Sequence, residues 1–332
     1  MSIYVQIAAY RDPQLIPTIE NLLDTAKYPD KLRIGICRQF HPNDKFDDLS
    51  AYRMDERFKI IDVPHKESQG VCWARYLTQK NYGGEDFTLQ IDSHMRFIQH
   101  WDERMIDMIR DLQRKNYPKP VLTGYPAGFD PGQEFVPSTD SPGLQMNLEG
   151  FSDKGIMCLS ADVIPNWEQL DSPVPARFFS AGFCFTLGKF CEEVPYDPEL
   201  YFYGEEMSMT VRAYTNNYDL FHPHRMLVWH HYAREGMPKH WDDHRNWYVR
   251  EEHSIMKVKH LLSQSSNGHS HEPNIYGLGK CRSLRDYEKY AGIHIAGRAI
   301  QAFTMAKMPP PDPVIYESEQ HWFDSLSVLK AG

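Results

Sequence analysis

The chain has 332 residues, 41% apolar, 24% charged and 13% aromatic, a balance that excludes a disordered or collagen-like polymer and supplies a substantial core. Its 36 Lys and Arg are scattered against 45 Asp and Glu, a formal charge of -9, so no basic field exists to hold nucleic acid. No stretch reaches the roughly 18 to 20 apolar residues that span a bilayer, and Cys37, Cys72, Cys158, Cys184, Cys191 and Cys281 stand far apart without C-x-x-C spacing, which predicts reduced thiols in the cytoplasm.

Ile3 to Ala9 is a nearly unbroken apolar run that turns polar at Tyr10-Arg11-Asp12, the pattern of a strand covered on both faces whose carboxyl end opens into a site. With no basic leader and too short an apolar stretch for a signal peptide, it reads as an opening strand. Leu15/Ile16, Ile19, Leu22/Leu23 and Ala26 then recur at helical spacing, with Asp12-Pro13 as the start; Pro17 requires that this helix begin near it or bend there. Leu32–Cys37 and Phe58–Val63 predict strands, Ser68–Lys80 a helix, and Phe87–Ile91 a fourth strand. That order is a βαβ-type layer, in which ligands gather beyond the carboxyl ends of the strands. Asp92-Ser93-His94 stands at such an end.

Residues 126–176 include Pro126, Pro131, Pro137, Pro142, Pro165, Pro173 and Pro175 with several glycines, which predicts long loops and short strands in place of a second core. Phe178–Leu187 is apolar around Gly182, Glu205–Tyr214 helical, and Leu227-Val228-Trp229 a strand leading into His230-His231. His240–Leu262 predicts a peripheral helix in which Trp241, Trp247 and Tyr248 serve packing, followed by a loop at Gln264–Gly268. Tyr276–Arg282 reads as a turn before the next helix or as a lid over a diphosphate. Ser283-Leu284-Arg285-Asp286 has the form of a capping box, with Gly292 as the stop.

The strongest chemical signal is Asp92-Ser93-His94. Side chains two apart on a strand point to one side, so a carboxylate and an imidazole there suit one divalent cation, Mn²⁺ foremost, with Mg²⁺ or Zn²⁺ tolerated; the plain alternative is that Asp92 caps a turn. Trp229-His230-His231-Tyr232 offers a third ligand, and because strand neighbours face opposite ways only one of its two histidines serves a given site. His222/His224 and His269/His271 compete for that place. Arg11, at a strand end, and Arg75, on a helix by the same edge, are placed to pair with phosphate. Glu205 and Glu206 open a helix, where the dipole favours carboxylates, and either is suited to a sugar or acceptor hydroxyl. Asp92 with Glu205 also resembles a glycoside-hydrolase carboxylate pair, which leaves His94 unexplained.

Asp92-Ser93-His94 after an apolar strand, with Gly70-Val71-Cys72-Trp73-Ala74-Arg75 before it, resembles the metal-dependent GT-A glycosyltransferases that use nucleotide sugars. More specifically, Ile3–Pro13, Trp73–Tyr76, Leu89–Phe97, Phe202-Tyr203-Gly204-Glu205-Glu206 and Arg282–Tyr287 resemble the GlcNAc-transferase family typified by a cytoplasmic enzyme that modifies hydroxyproline on a ubiquitin-ligase adaptor. Ser180–Phe185, Phe202–Glu206 and Arg212 are more distantly similar to the A-G-G and W-G-G-E-N segments of polypeptide GalNAc-transferases. That likeness favours His230 as third ligand, with Arg234 displaced from the arginine of the H-x-F-R motif.

The resemblance implies an α/β chain of GT-A type, a mixed, mostly parallel sheet flanked by helices. Residues 1–235 form the catalytic domain, donor-binding over about 1–125 and acceptor- or sugar-binding over about 126–235, and 236–332 a helical extension. It implies Asp92, His94 and His230 on Mn²⁺ or Mg²⁺, Glu205 and Glu206 as catalytic residues, and Ala9, Tyr10, Arg11, Arg38, Arg75, Gln90, Asp92, Ser93 and Gly182 around UDP-GlcNAc. The expected reaction is transfer to a hydroxyl, on a protein or a glycan, with retention; the alternatives are another UDP-sugar or a binding protein without turnover.

Overall fold

Half of the central sheet consists of the parallel strands β1 (Ile3–Tyr10), β2 (Leu32–Phe40), β3 (Phe58–Pro64) and β4 (Phe87–Asp92), in the order β3-β2-β1-β4. α1 (Leu15–Thr25) follows β1 and α2 (Val71–Gln79) precedes β4. Ile3, Tyr4, Val5 and Ile7 are all buried, as an apolar run without alternation requires when both faces of a sheet are covered. From β1 the chain passes to β2 on one side and returns to β4 on the other, so a crevice opens between the carboxyl ends of β1 and β4. The computed structural model describes residues 1–263, 275–310 and 316–328; the loop at 264–268 and His269/His271 lie outside the described residues.

After β4 come β5 (Met95–Phe97), α3 (Trp101–Arg114), β6 (Pro120–Thr123), β7 (Ala127–Gly128), β8 (Leu144–Phe151), β9 (Met157–Val163), β10 (Val174–Pro175), β11 (Phe183–Leu187), the short α4 (Phe190–Glu193), α5 (Glu205–Thr215), β12 (Asp219–His222) and β13 (Val228–His230). The eight-stranded sheet reads β10-β12-β6-β11-β4-β1-β2-β3. β11 runs antiparallel to β4 and β6, and β10 to β12, while the remaining pairs are parallel. This is the mixed, mostly parallel sheet expected. A three-stranded sheet, β5-β13-β7, sets His230 in register with Met95 and Gly128, which carries a histidine from late in the chain to the exit of β4.

α1 begins at Leu15, so Pro17 falls in the first turn, where its missing N–H has no helical partner to lose. β2 runs past Cys37 because Arg38, Gln39 and Phe40 pair with Asp62, Val63 and Pro64 of β3. α2 starts behind Gly70, whose φ is 114° and where a Cβ would lie 2.7 Å from the Tyr201 ring. Only glycine admits both that backbone and that approach.

Residues 126–176 depart from the expectation of short strands without a core. β8 and β9 form a hairpin, and Met146, Leu148, Phe151 and Met157 join Val211, Tyr218, Ile255 and Tyr287 in an apolar cluster separate from the one built on β1, α1 and α3. Leu144, Met146 and Leu148 are two apart, a strand signal masked by the surrounding Pro and Gly.

α6 (His240–Asp243), α7 (Trp247–Ser263) and α8 (Leu284–Ala291) follow. α7 is less peripheral than expected, since Ile255, Val258 and Leu262 enter the second cluster. The capping box is present: the Ser283 hydroxyl accepts from Asp286 N–H at 3.1 Å, Asp286 Oδ2 accepts from Ser283 N–H at 2.7 Å, and Gly292 stops α8 at φ 66°. Residues 277–282 lie against the end of α5 and the start of β12, where Gly279 N–H donates to Thr215 Oγ1 at 2.8 Å and Arg282 meets Asp219 at 2.8 Å. That is the amino edge of the sheet, opposite the exits of β1 and β4.

Candidate active site

β4 ends at Asp92, and the chain bends through Ser93 to His94 before β5. His231 N–H donates to the His94 carbonyl at 3.0 Å, which brings the His230 side chain across from His94. His230 Nε2 then lies 3.0 Å from His94 Nε2 and 3.2 Å from Asp92 Oδ2. The ligand atoms of these three residues all fall within 4.8 Å of one another. Two imidazole nitrogens and a carboxylate oxygen converging on one point are a donor set that fits Mn²⁺ and tolerates Mg²⁺.

The rival histidines are placed elsewhere. The His231 ring turns toward Phe129, with centroids 5.9 Å apart. His222 Nδ1 donates to the Thr123 carbonyl at 2.8 Å and its Nε2 accepts from Met146 N–H at 3.1 Å. Burial pushes this imidazole down to about 4, so it is a neutral structural histidine. His224 lines a separate cavity of about 360 Å³ beside Arg104, Asp107 and Asp111.

Asp92 is tied from behind by Arg75 on α2, whose Nη2 reaches Asp92 Oδ1 at 2.6 Å while Nη1 pairs with Glu205. Burial alone would raise the Asp92 carboxyl, but Arg75, His230 and His94 outweigh it and hold the group far below the usual carboxylate range. Arg75 lies across the buried Tyr196 ring at 5.8 Å. Glu205 and Glu206 are both engaged by protein. Glu206 accepts from the Tyr125 hydroxyl at 2.5 Å and from Ala181 N–H at 3.0 Å, and burial raises its carboxyl to about 7. Gln90 donates to the Ala181 carbonyl at 2.7 Å and to the Tyr196 hydroxyl at 2.6 Å, so the chain entering Gly182 is pinned on both sides.

Asp12 is the residue to which sequence reasoning gave no role in the site, having taken it as part of the polar exit of β1 and as the start of α1. It is fully buried, with Oδ2 at 2.6 Å from His94 Nδ1, 2.7 Å from Ser93 Oγ and 3.5 Å from Arg234 Nη2. Burial would raise this carboxyl, but His94, Arg234 and Ser93 overcome it and lower it. The one available signal was its place at the exit of the strand next to β4.

The remaining predicted residues rim the crevice toward β2 and β3. The Ala9 carbonyl accepts from Gln39 Nε2 at 3.1 Å. Arg11, at φ 46°, reaches Asp44 at 2.8 Å and Asp243 at 2.9 Å, and the Tyr10 hydroxyl donates to the same Asp243 at 2.7 Å. Arg38 pairs with Asp47 at 2.7 Å and Asp62 at 3.5 Å. α6 therefore lies over the β1 exit, and Trp241, 40% exposed, packs one side of its ring against Phe202 and Trp247, while Trp247 stacks on Tyr201.

A family model described as Glycosyltransferase (GlcNAc) matches residues 2–52 and 42–296. The chain belongs to this GlcNAc glycosyltransferase family. No curated protein matches it in sequence. Among solved structures it is similar to GalNAc-T7 with UDP, GalNAc and Mn²⁺, at 13% identity and TM-score 0.57, over 87% of this chain and 56% of that one. It is also similar to Staphylococcus aureus TarS 1–349, at 14% identity and TM-score 0.46, over 82% of this chain and 76% of that one, a protein also solved with UDP-GlcNAc. The fold is that of a GT-A glycosyltransferase, and as a member of the GlcNAc family the chain is a glycosyltransferase enzyme. Among the described residues no helix is long and apolar enough to cross a membrane.

Proposed function

We propose that this family member transfers GlcNAc from UDP-GlcNAc to an acceptor hydroxyl, on a protein or a glycan, with retention. The observation that carries this reading is the meeting of Asp92, His94 and His230 at the crevice between the exits of β1 and β4, in a chain of a GlcNAc-transferase family. Bound there by those three residues, Mn²⁺ or Mg²⁺ supplies positive charge where the departing diphosphate gains negative charge.

The chain's own residues do the placing. Arg75 keeps Asp92 ionised and oriented, and Glu205 holds Arg75. Glu206 and Gln90 fix Ala181, so that Gly182, lacking a side chain, leaves room for the donor sugar. Ala9, Tyr10, Arg11, Arg38 and Ser93 border the nucleotide, their orientations set by the polar partners described above. In the retaining route a diphosphate oxygen takes the acceptor proton, and no dedicated protein base is needed.

The assignment divides the chain at about 235: donor binding over about 1–125, acceptor and sugar binding over about 126–235, and a C-terminal extension beyond. Residues 126–176 are the segment for acceptor choice. All six cysteines are unbridged, four of them buried, which suits a reducing compartment such as the cytoplasm.

The deciding experiment is a panel of UDP-sugars assayed for turnover with Mn²⁺, with Mg²⁺ and with chelator, and for the product anomer. Cation-dependent turnover of UDP-GlcNAc with an α-linked product is expected. Turnover of a different UDP-sugar alone, or affinity without turnover, would replace the reading.

A further inference from the structure

We infer that Asp12 is a positioning residue for the cation site: its carboxylate fixes the proton of His94 on Nδ1 and so presents His94 Nε2 as a lone pair to the point shared with Asp92 and His230. The inference rests on the cation reading above and adds a residue outside the three ligands. An ionised carboxylate only accepts hydrogen bonds, so the 2.6 Å contact between Asp12 Oδ2 and His94 Nδ1 requires the hydrogen to sit on Nδ1. A neutral imidazole protonated there has its free lone pair on Nε2, the nitrogen 3.0 Å from His230 Nε2.

The neighbours offer no substitute. Ser93 Oγ donates to the same Asp12 oxygen at 2.7 Å and lies 3.5 Å from His94 Nδ1, so its one proton is already committed to the carboxylate. Asp12 is itself immobile: it is 0% exposed, and its Oδ1 accepts from Gln14 N–H at 2.9 Å at the start of α1. The two histidines therefore differ. His230 Nδ1 is buried with no hydrogen-bond partner among the described residues, so its tautomer is left to the ligand, whereas His94 arrives oriented. Partners of this kind orient a ligating imidazole and raise its basicity, and losing one costs roughly ten- to a hundredfold in metal affinity.

The test uses the full chain without donor, and two readouts besides activity. Mn²⁺ affinity is followed by the electron paramagnetic resonance of the free ion, and the His94 tautomer by long-range ¹H–¹⁵N correlation. Asp12→Ala is expected to weaken Mn²⁺ binding by roughly ten- to a hundredfold and to release His94 into mixed tautomers. Asp12→Asn, whose amide oxygen still accepts from Nδ1–H, is expected to keep the tautomer and lose less affinity. Asp102→Asn serves as control, a carboxylate buried elsewhere that accepts from Lys27 N–H and Tyr28 N–H; it should cost stability and leave Mn²⁺ affinity unchanged. If Asp12→Ala does not fold, Asp12→Asn and the wild-type spectrum decide. An Nε2-protonated His94 in the wild type, or unchanged affinity in folded Asp12→Ala, overturns the assignment. Absence of any Mn²⁺ binding by the wild type would instead sink the cation reading, and the tautomer measurement would still judge Asp12.

Discussion

Gly182 backs directly onto Asp92: a Cβ built on the glycine would sit 3.0 Å from Asp92 Oδ2. Gly182→Ala therefore forces either the carboxylate or the 181–183 backbone to move. Misplacing a reacting group by a fraction of an ångström is costly, so turnover of UDP-GlcNAc should fall by roughly ten- to a hundredfold. The melting temperature should change by about 3 °C or less, because one surplus methyl at the edge of a large fold costs little stability. Steady-state kinetics beside a thermal melt separates the two effects, and an alanine variant with full turnover would detach Gly182 from the donor pocket.

Arg75 is 5% exposed at its side chain and answers two carboxylates from distant parts of the chain, Asp92 and Glu205. Arg75→Met leaves Glu205 buried without its counter-ion and Asp92, 24% exposed at its side chain, with His230 alone, which should cost about 3 to 5 kcal/mol of stability. Arg75→Lys keeps the charge but not the planar fork that reaches both groups, so it should recover only part of the loss. Urea midpoints of the three proteins test this, and a stable, active methionine variant would contradict it.

How much of this was legible in the sequence follows from how local each signal is. Asp92 and His94 could be read because strand, carboxylate and imidazole lie in one short run. His230 could be narrowed only to a pair by strand alternation, and the likeness to known transferases favoured it; the register of β13 on β5 places it. Asp12 had no local signature, since its partner stands 82 positions away and meets it only through the β1–β4 neighbourhood. The pairing of Arg11 with Asp44 and Asp243, and of Arg38 with Asp47, was equally hidden, because Asp44 and Asp47 stand in a loop that follows no period and Asp243 lies on α6, 232 positions from Arg11. The β8–β9 hairpin was missed for another reason: its alternation was present but was outweighed by the Pro and Gly around it.

Glu206 supplies a pH signature. Burial raises its carboxyl from 4.5 to about 7, and the hydrogen bonds from Tyr125 and Ala181 only partly offset this. A raised folded-state value means that the protonated form favours the fold, so this contribution is complete below about 4.5 and is lost as pH climbs through 7. Glu206→Gln cannot ionise. Its stability relative to wild type should therefore improve between pH 4.5 and pH 8, by up to about 3 kcal/mol. Denaturation midpoints of both proteins at the two ends of that window give the difference, and parallel pH profiles would show that folding does not raise the Glu206 carboxyl.

The two adjacent histidines of β13 and its exit give the sharpest contrast. His230 Nε2 faces both Asp92 and His94, while His231 lends its backbone N–H to the His94 carbonyl and turns its ring onto Phe129. Alanine substitution preserves a backbone N–H. His231→Ala should thus keep the strand pairing and leave Mn²⁺ affinity within about threefold of wild type, a change of less than about 1 kcal/mol. His230→Ala removes one of three donors and should weaken Mn²⁺ by at least about a hundredfold, with turnover falling in step. Titration of Mn²⁺ into each variant, read by calorimetry, measures both. Equal losses would mean that the segment acts through its packing on β5, and the reverse order would move the third ligand to His231.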